Sequence, residues 1–248
     1  MAERKSVLPT ENNVPITGIP KEIKLLLEGP GKVGITTFGA SFPKAILLEM
    51  ERGGADFVGS CPVLHLWKGL DPIKGIRMAM EDLRTDTRFN TVVLDTIDEF
   101  ADITARVICE KLGIMGINEP PKNKRDGVQW DMYSNEVTGI LAALIALPKN
   151  VVILGHTKPA TYDRDGKLKK MESLDIYGRA SRVAYTRIDN IGRMRLENVG
   201  GTTQTVLSFR ATMESIRGSR HPMLRDKEIV IPRDNGYAAF EQLFKEAK

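Results

Sequence analysis

Nine residues near the start of the chain have the composition of a phosphate-binding turn. Residues 29–37 read GPGKVGITT, with glycines at 29, 31 and 34 and threonines at 36 and 37. Glycines let the backbone turn sharply enough for several N–H groups to point at one phosphate, and a helix beginning there adds the positive end of its dipole. The segment therefore predicts a nucleotide-phosphate loop. Its predicted contacts are Gly29, Pro30, Gly31, Lys32, Val33, Gly34, Ile35, Thr36 and Thr37.

One residue of this loop departs from the usual P-loop pattern. The pattern G-x-x-x-x-G-K-[ST] matches at Gly29, Gly34 and Thr36, but Ile35 occupies the lysine position. That lysine normally contacts the β- and γ-phosphates and offsets the charge that develops during phosphoryl transfer. Thr36 keeps the hydroxyl that holds Mg²⁺ in such loops. We therefore expect the phosphate cradle to survive without its usual cation.

Three interpretations of the loop stay open from the residues alone. It binds nucleotide weakly and hydrolyses it poorly, or Lys32 supplies the missing cation from three positions earlier. The third interpretation is a glycine-rich turn between a strand and a helix that binds no nucleotide.

A second polar residue follows a fully apolar run further along the chain. Residues 91–96 read TVVLDT, which predicts a buried strand ending at Asp95. A carboxylate there can hold the Mg²⁺ shell together with Thr36. The alternative role of Asp95 is to cap the helix predicted to start near Ile97.

The elements that position these residues alternate between strand and helix patterns. Apolar runs predict strands at 22–28, 45–48, 63–67, 91–94 and 151–154. Helices are predicted from Asp71-Pro72, over 97–112, through 130–144 and over 236–248, with a hairpin pairing 193–199 with 203–209. This order predicts an α/β fold whose mostly parallel sheet is covered by helices on both faces. We divide the chain into a lead-in (1–20), a core (21–220) and a C-terminal strand and helix (221–248).

Four segments, taken in order, resemble a known family. The runs LLLEGPGKVGITTF, ILLEMERGG, TVVLDTIDEF and VVILGH are similar to the RecA/RadA-type ATPase core, a P-loop fold of the AAA domain kind. They are most similar to phage-encoded nucleotide-binding proteins that act with single-strand annealing proteins in recombination. Those proteins usually read GPxKSGKTTF, so Lys32 matches and Ile35 departs. The resemblance covers roughly residues 22–220.

The resemblance implies ATP and Mg²⁺ as cofactors and assigns roles to three residues. Glu51 matches the glutamate that activates the attacking water, and Asp95 matches the Mg²⁺-associated aspartate. His156 matches the polar residue that senses the γ-phosphate and relays its state to DNA-binding loops. The alternatives are a solvated loop carboxylate for Glu51 and a strand-end residue that satisfies backbone groups for His156.

Two basic segments occupy the positions where RecA-like folds carry DNA-binding loops. Residues 157–170 hold five basic and two acidic residues, and residues 114–127 contain Pro120-Pro121, which excludes a helix there. Lysine and arginine in such loops neutralise phosphates of single-stranded DNA without sequence preference. The alternative is a solvated loop, or for residues 157–170 a hairpin turning at residues 163–166. The predicted DNA contacts are Lys158, Arg164, Lys167, Lys169 and Lys170, with Lys122, Lys124 and Arg125.

Basic residues near the end of the core fit a role between subunits. RecA-like assemblies complete each site with cations from a neighbour, and Arg217 and Arg220 are the candidates. This predicts a homo-oligomer acting on single-stranded DNA, with an annealing or single-strand-binding protein as a possible partner. The competing hypothesis is an inactive P-loop protein with a structural or regulatory role. A nucleotide kinase is a third hypothesis that no arginine-rich lid supports.

Composition narrows the setting of the protein. The chain has 248 residues, a net charge of +4 and two cysteines, Cys61 and Cys109, which form no metal-binding or disulfide pattern. No apolar run approaches the length of a membrane span, and the N-terminal residues lack a secretory h-region. We expect a cytoplasmic protein of an infected bacterial cell, without a membrane partner.

Overall fold

The strands and helices of the protein alternate along most of the chain. The computed structural model describes residues 18–69, 71–122 and 124–245. The helices are α1 (Ile35–Ala40), α2 (Pro72–Thr85), α3 (Ile97–Leu112), α4 (Val128–Ile145), α5 (Gly178–Arg187) and α6 (Gly236–Gln242). The strands are β1 (Lys24–Glu28), β2 (Ala45–Glu49), β3 (Val63–His65), β4 (Thr91–Asp95), β5 (Asn150–Gly155), β6 (Thr157–Lys158), β7 (Thr161–Tyr162), β8 (Leu168–Lys170), β9 (Ser173–Leu174), β10 (Asn190–Val199), β11 (Thr202–Ser208), β12 (Gly218–Ser219) and β13 (Glu228–Ile231).

One mixed sheet organises the protein. Its strands follow the order β13-β11-β10-β1-β5-β4-β2-β3, and β12 adds to β10. Six strands that are adjacent in this order, namely β10, β1, β5, β4, β2 and β3, are parallel to one another. Strands β11, β12 and β13 are antiparallel additions. The predicted α/β fold with a mostly parallel sheet is therefore confirmed.

Apolar side chains cover both faces of this sheet. Along β1, Leu26 packs into the cluster that holds the apolar faces of α2, α3 and α4. Its neighbours Leu25 and Leu27 pack into the opposite cluster, with α1 and α6. Strands that are buried on both faces have continuous apolar sequences, and this is why short apolar runs predicted them correctly.

The C-terminal ends of the central strands meet at one edge of the sheet. Strand β5 lies between β1 and β4, and β2 lies next to β4. The segments that follow these strands begin at Gly29, Met50, Thr96 and His156. In open α/β sheets, ligands bind outside the carboxyl ends of the strands, so this edge gathers the residues with predicted chemistry.

The helices largely match the predicted ones. Asp71 caps α2 by accepting a hydrogen bond from the Lys74 N–H at 2.9 Å, and α3 spans the predicted residues 97–112. Helix α6 ends earlier than predicted, at Gln242, and the last residues, 246–248, lie outside the described part. Helix α5 was not predicted, because its small and basic residues give only a weak apolar stripe.

The C-terminal elements complete the sheet and brace the helix after the glycine loop. The predicted hairpin is confirmed, with Arg193 opposite Ser208 and Val199 opposite Thr202. Strand β13 pairs with β11, and α6 packs on α1, where the ring centroids of Phe38 and Phe240 are 6.1 Å apart. The division at residue 221 stays a prediction, and most of the predicted lead-in, residues 1–17, lies outside the described residues.

None of the helices in the described ranges has the length and apolar character required to cross a membrane.

Candidate nucleotide site

The glycine loop forms a tight turn between β1 and α1. The N–H of Gly29 donates to the Gly155 carbonyl at 3.2 Å, which ties the start of the loop to β5. Lys32 has φ of 67° and Gly34 has φ of 97°, so the chain changes handedness twice before the helix begins. Alternation of this kind turns successive N–H groups toward one side, the geometry of an anion-binding nest.

The first glycine of the loop has no room for a side chain. A Cβ atom on Gly29 would lie 2.8 Å from Cγ1 of Val33, 3.1 Å from Cγ2 of Ile35 and 3.1 Å from the Met194 carbonyl oxygen. Real Cβ contacts are essentially never shorter than 3.0 Å. The side chains of Val33 and Ile35 therefore pack directly against Gly29, where the loop begins.

Ile35 lies in the apolar interior and not at the loop surface. Its exposed fraction is 5%, and with Val33 it belongs to the cluster beneath α1 and α6. A hydrocarbon side chain here supplies no positive charge to a phosphate. Lys32, in contrast, is exposed and lines a cavity beside the loop. Lys32 is therefore the cationic side chain that the loop itself can offer to a phosphate.

Asp95 ends β4 as a buried carboxylate with an unused oxygen. The residue is 1% exposed, and among the described residues its Oδ2 atom has no hydrogen-bond partner. Burial raises the pKa of Asp95 to about 6, the nearby Thr36 hydroxyl lowers it, and the charges of Glu51 and Glu49 raise it further. A buried carboxylate oxygen without a partner is costly, and a cation or its water shell would satisfy it.

Three carboxylates converge beside Gly54, in the segment after β2. A Cβ atom on Gly54 would lie 3.5 Å from Oδ2 of Asp95, 3.6 Å from Oε1 of Glu51 and 3.9 Å from Oε1 of Glu49. Burial raises the pKa of Glu51, and the charges of Asp98, Glu99 and Glu49 raise it further while His156 opposes them. The structure thus brings the carboxylate of Glu51 beside that of Asp95.

Glu49 is a buried member of this group that the sequence analysis missed. It accepts hydrogen bonds from the Ala55 N–H at 2.8 Å and the Trp67 indole at 2.7 Å, and it is also bonded to His65. Burial acts to raise the pKa of Glu49, but these hydrogen bonds together hold it below its ordinary value. Glu49 therefore stays ionised and anchors the segment that carries Glu51.

His156 follows β5, and the carboxylate of Asp98 holds it in place. The two Asp98 oxygens accept from the backbone N–H of His156 and from its Nδ1, each at 2.9 Å. The hydrogen bond to Asp98 raises the pKa of His156 although burial opposes it, and the charges of Glu51 and Asp95 raise it further. The ring thus faces the same carboxylates, and Asp98 is a further site residue that the sequence analysis missed.

Mg²⁺ fits the side chains gathered here. Magnesium binds through one or two protein oxygens and completes its shell with water and substrate phosphates. Thr36 and the unpartnered oxygen of Asp95 provide such a pair. Among the described residues, no three histidine, cysteine or acidic side chains form a self-sufficient metal site. An ion held jointly by Thr36, Asp95 and phosphate oxygens agrees with the presence of this pair and with the lack of a third protein ligand among the described residues.

A cavity of about 610 Å³ opens beside the glycine loop. One wall is the loop and the start of α1, and the other walls are the hairpin of β10 and β11 and the segment that follows β13. Its volume lies in the range of small-molecule sites. Its lining residues include Lys32, Met194, Leu196, Ile231 and Arg233.

The predicted DNA-binding residues lie in two exposed segments. Residues 161–170 form a hairpin of β7 and β8 that turns at residues 163–167, as one of the sequence alternatives proposed. Four of the predicted contacts lie exposed on this hairpin: Arg164, Lys167, Lys169 and Lys170. The other segment, residues 114–127, was predicted to lack a helix, and its described residues form turns and bends. Here Lys122 and Lys124 are exposed, and Arg125 pairs with Asp131.

Lys158 lies at the base of the hairpin and is already engaged. Its ammonium group is 2.6 Å from Asp175 and 4.9 Å from the centre of the Tyr177 ring. Binding DNA through Lys158 would require it to give up this pair. Tyr162, at the start of the hairpin, donates to Glu214 at 2.5 Å.

The two arginines predicted to act between subunits have different environments. Arg217 is largely buried and donates to Glu172 at 2.9 Å, so in this conformation it does not extend toward a neighbouring subunit. Arg220 has a side chain that is 63% exposed and pairs with Asp189 at 2.7 Å. Only Arg220 is therefore placed at the surface, as the predicted role requires.

A buried carboxyl group directly before the glycine loop was also missed by the sequence analysis. Glu28 is 2% exposed and accepts a hydrogen bond from the Tyr185 hydroxyl. Burial raises the pKa of Glu28 to about 7, although the Tyr185 bond and the charges of Arg217 and Arg193 lower it. Glu28 lies on the face opposite the loop and Asp95, and it connects β1 to α5.

The strand order, the glycine loop after β1 and the buried Asp95 after β4 together define a RecA-like P-loop domain. A family model described as an AAA domain matches residues 21–221. The match spans most of the chain, and the protein belongs to this AAA-domain family.

Three solved structures are similar in fold. The flagellar accessory protein FlaH from Methanocaldococcus jannaschii is 11% identical with a TM-score of 0.42, over 84% of this chain and 86% of that one. A KaiC-like protein from Pyrococcus horikoshii is 12% identical with a TM-score of 0.48, over 89% and 97%. The RadB recombinase is 15% identical with a TM-score of 0.45, over 88% and 90%. No curated protein matches the chain.

Proposed function

We propose that the protein binds Mg·ATP in its glycine loop, hydrolyses it slowly, and acts on single-stranded DNA in recombination or replication. The observation that carries the nucleotide part is Asp95. A fully buried carboxylate oxygen without a partner lies beside the loop threonine, and both groups are of the type that Mg²⁺ requires. Membership of the AAA-domain family supports the same conclusion.

Each side chain of the site has a distinct task in this proposal. Bound Mg²⁺ would offset the charge of the β- and γ-phosphates. Thr36 and Asp95 would hold the ion, and Glu51 would orient the water that attacks the terminal phosphorus. His156, fixed by Asp98, donates a hydrogen bond to the terminal phosphate, where a charged donor would stabilise the transition state.

Slow turnover follows from Ile35. Without a lysine at this position, the helix start offers no cationic side chain to the bridging and terminal phosphate oxygens. Removing one such electrostatic contact from an active site typically costs about 3–4 kcal/mol of transition-state stabilisation. We therefore expect hydrolysis that is slower by two or more orders of magnitude than in a P-loop with the lysine present.

The DNA part of the proposal depends on the hairpin of residues 161–170. Its basic residues are exposed, and the chain enters it a few residues after His156, which belongs to the proposed nucleotide site. A shift of His156 on nucleotide binding would therefore move the hairpin. We propose that the protein works as an oligomer on DNA, in the bacterial cytoplasm, beside an annealing or single-strand-binding protein. The phage role rests on the motif resemblance alone.

The second candidate function is a P-loop protein that no longer hydrolyses nucleotide and serves as a structural or regulatory partner. The specific observation in its favour is that Ile35 is 5% exposed within the apolar cluster, which leaves the usual cation absent. The carboxylates of Asp95 and Glu51 nevertheless lie side by side next to Gly54, which favours the first function.

Fluorescence anisotropy of a labelled oligothymidylate separates the two functions. The titration is made without nucleotide, with Mg·ADP and with Mg·ATP, beside a phosphate-release assay. The first function predicts DNA affinity that depends on the nucleotide and slow phosphate release that Glu51→Gln abolishes. DNA binding that is independent of nucleotide, without release above the level of Glu51→Gln, would establish the second function.

A further inference from the structure

The charge of a bound phosphate chain has to be neutralised by side chains other than residue 35. A nucleoside triphosphate carries several negative charges, and backbone N–H groups offset them only in part. Ile35 is buried with Val33 among apolar side chains. His156 lies at the Asp95 side of the site, in contact with Asp98. The opposite side of the loop, along the cavity, has no cation from the usual pattern.

Lys32 is the one basic residue between positions 29 and 37. Its side chain is exposed and lines the cavity beside the loop. Its φ of 67° is uncommon for a residue with a side chain, and a glycine or asparagine would adopt it at lower cost. A lysine held in this conformation at the cavity wall indicates a role for its charge.

Arg233 reaches the same cavity from a different element. It follows β13, is exposed, and lines the cavity together with the glycine loop. Within the described residues, neither Lys32 nor Arg233 takes part in an ion pair. Two cations without acidic partners therefore border one cavity next to a phosphate-binding turn.

The rest of the cavity suits an apolar, planar group. Leu196 on β10 lines the cavity and is 57% exposed, and the strand register places its side chain on the same sheet face as those of Met194 and Ile231, which also line the cavity. A large apolar side chain on a strand is usually covered, and one left exposed in a concave site is a feature of ligand pockets. The cavity thus combines two cations with an aliphatic wall.

We propose that Lys32, assisted by Arg233, replaces the absent loop lysine by neutralising the phosphate chain from the cavity side. The base of the nucleotide then lies against Leu196. The ligand class is a nucleoside triphosphate, and the inference rests on the proposed nucleotide binding. The positive charge that neutralises the phosphates then comes from Lys32 and Arg233 and not from residue 35.

Displacement of a fluorescent ATP analogue tests this assignment. Affinities for ATP and AMP in the presence of Mg²⁺ are compared between the unchanged protein and Lys32→Ala, Lys32→Arg, Arg233→Ala and Lys44→Ala. Lys44 is a matched control, because it is also an exposed lysine with a positive φ, of 45°, but does not line the cavity. Circular dichroism checks that each variant is folded.

The expected result is a loss of ATP affinity of at least tenfold in Lys32→Ala, a smaller loss in Arg233→Ala and none in Lys44→Ala. AMP affinity should change less than ATP affinity, and Lys32→Arg should restore most of the binding. Equal ATP affinity of Lys32→Ala and the unchanged protein would overturn this inference alone. Failure of the unchanged protein to bind ATP would overturn the proposed function and this inference with it.

Discussion

The carboxylate of Asp98 accepts two hydrogen bonds from His156, one from its backbone N–H and one from its ring Nδ1, each at 2.9 Å. The first bond fixes where the chain leaves β5, and the second fixes the orientation of the ring. Because Nδ1 donates to Asp98, the other ring nitrogen is left for the nucleotide side of the site. A residue on α3 thereby sets the position and the charge of a residue 58 positions away.

Replacing Asp98 should make His156 a weaker base. In Asp98→Asn the amide oxygen still accepts from the backbone N–H of His156, but the negative charge is lost. Since the hydrogen bond to Asp98 is the main cause of the raised pKa, we expect the pKa of His156 to fall in this variant. NMR titration of the ring protons measures this, with His156→Gln to assign the signals and Asp82→Asn as a control. An unchanged titration midpoint would contradict this role of Asp98.

The first glycine of the loop should tolerate no substitution, unlike the next one. Gly29→Ala places a methyl group 2.8 Å from Val33 and against the Met194 carbonyl, so the loop must open. Gly31→Ala meets nothing within 4 Å and is the matched control. We expect Gly29→Ala to lose ATP affinity at least tenfold and to lower the free energy of unfolding by about 1–3 kcal/mol. Calorimetric binding and chemical denaturation measure the two effects, and equal behaviour of both variants would refute the loop geometry.

Glu28 should make the folded protein less stable as the pH rises. Its folded pKa of about 7 lies above the ordinary value of 4.5, so between these values the folded state binds the proton more tightly. The stability associated with Glu28 is complete below pH 4.5 and is lost as the pH rises through 7. Relative to the unchanged protein, Glu28→Gln should therefore gain about 2–3 kcal/mol more at pH 8 than at pH 5.

Urea denaturation at the two pH values measures this difference. Glu81→Gln, an exposed position on α2, is the control and should show none. A difference of the opposite sign would mean that the charge of Glu28 is stabilised by Arg193 and Arg217 more than burial destabilises it.

Restoring the loop lysine should raise the rate of ATP hydrolysis. Ile35→Lys supplies the missing charge, whereas Ile35→Met has a similar length without the charge and serves as its control. We expect the lysine variant to hydrolyse ATP at least tenfold faster than the methionine variant, since one such contact stabilises the transition state by about 3 kcal/mol. Steady-state phosphate release measures the rates. Equal rates would show that another part of the site has also been lost.

The hairpin of β7 and β8 should account for the salt dependence of DNA binding. Replacing Arg164, Lys167, Lys169 and Lys170 with alanine removes exposed charges without breaking an ion pair among the described residues. Each lost phosphate contact should reduce the slope of log affinity against log salt concentration by about 0.7 for single-stranded DNA. Anisotropy titrations over a range of NaCl concentrations measure the slope.

Lys21→Ala/Lys44→Ala provides the control for the hairpin variant. These lysines precede β1 and β2 and so lie at the opposite edge of the sheet. The control should bind DNA with the slope of the unchanged protein. If the hairpin variant keeps that slope as well, single-stranded DNA does not bind at this hairpin.

The parts of the fold that could be predicted are those encoded locally. Continuous apolar runs such as 91–94 and 151–154 predicted the buried strands, because parallel strands covered on both faces need apolar residues at every position. Asp71-Pro72 predicted the start of α2, because a capping carboxylate and a proline both act within one turn of the helix. The spacing of the loop glycines, likewise, is a local pattern.

The residues that the sequence analysis missed act across long separations. In sequence, Asp98 is an ordinary acid in the first turn of a helix, where it would be explained by the helix dipole. Its contact with His156 depends on β4 and β5 lying side by side. Glu28 and Glu49 end apolar strands and are buried only because α5 and the segment after β2 cover them. Arg217 could not be told from surface arginines, since its partner Glu172 comes from a distant loop.

The most direct test of the account is a calorimetric titration of the unchanged protein with Mg·ATP, repeated with Asp95→Asn. We expect saturable binding of one nucleotide per chain, weakened at least tenfold in the variant when Mg²⁺ is present but not when it is removed with EDTA. Absence of binding at millimolar ATP, or binding that Asp95→Asn leaves unchanged in Mg²⁺, would contradict the claim that the loop at Gly29 and the carboxylate of Asp95 form one nucleotide site.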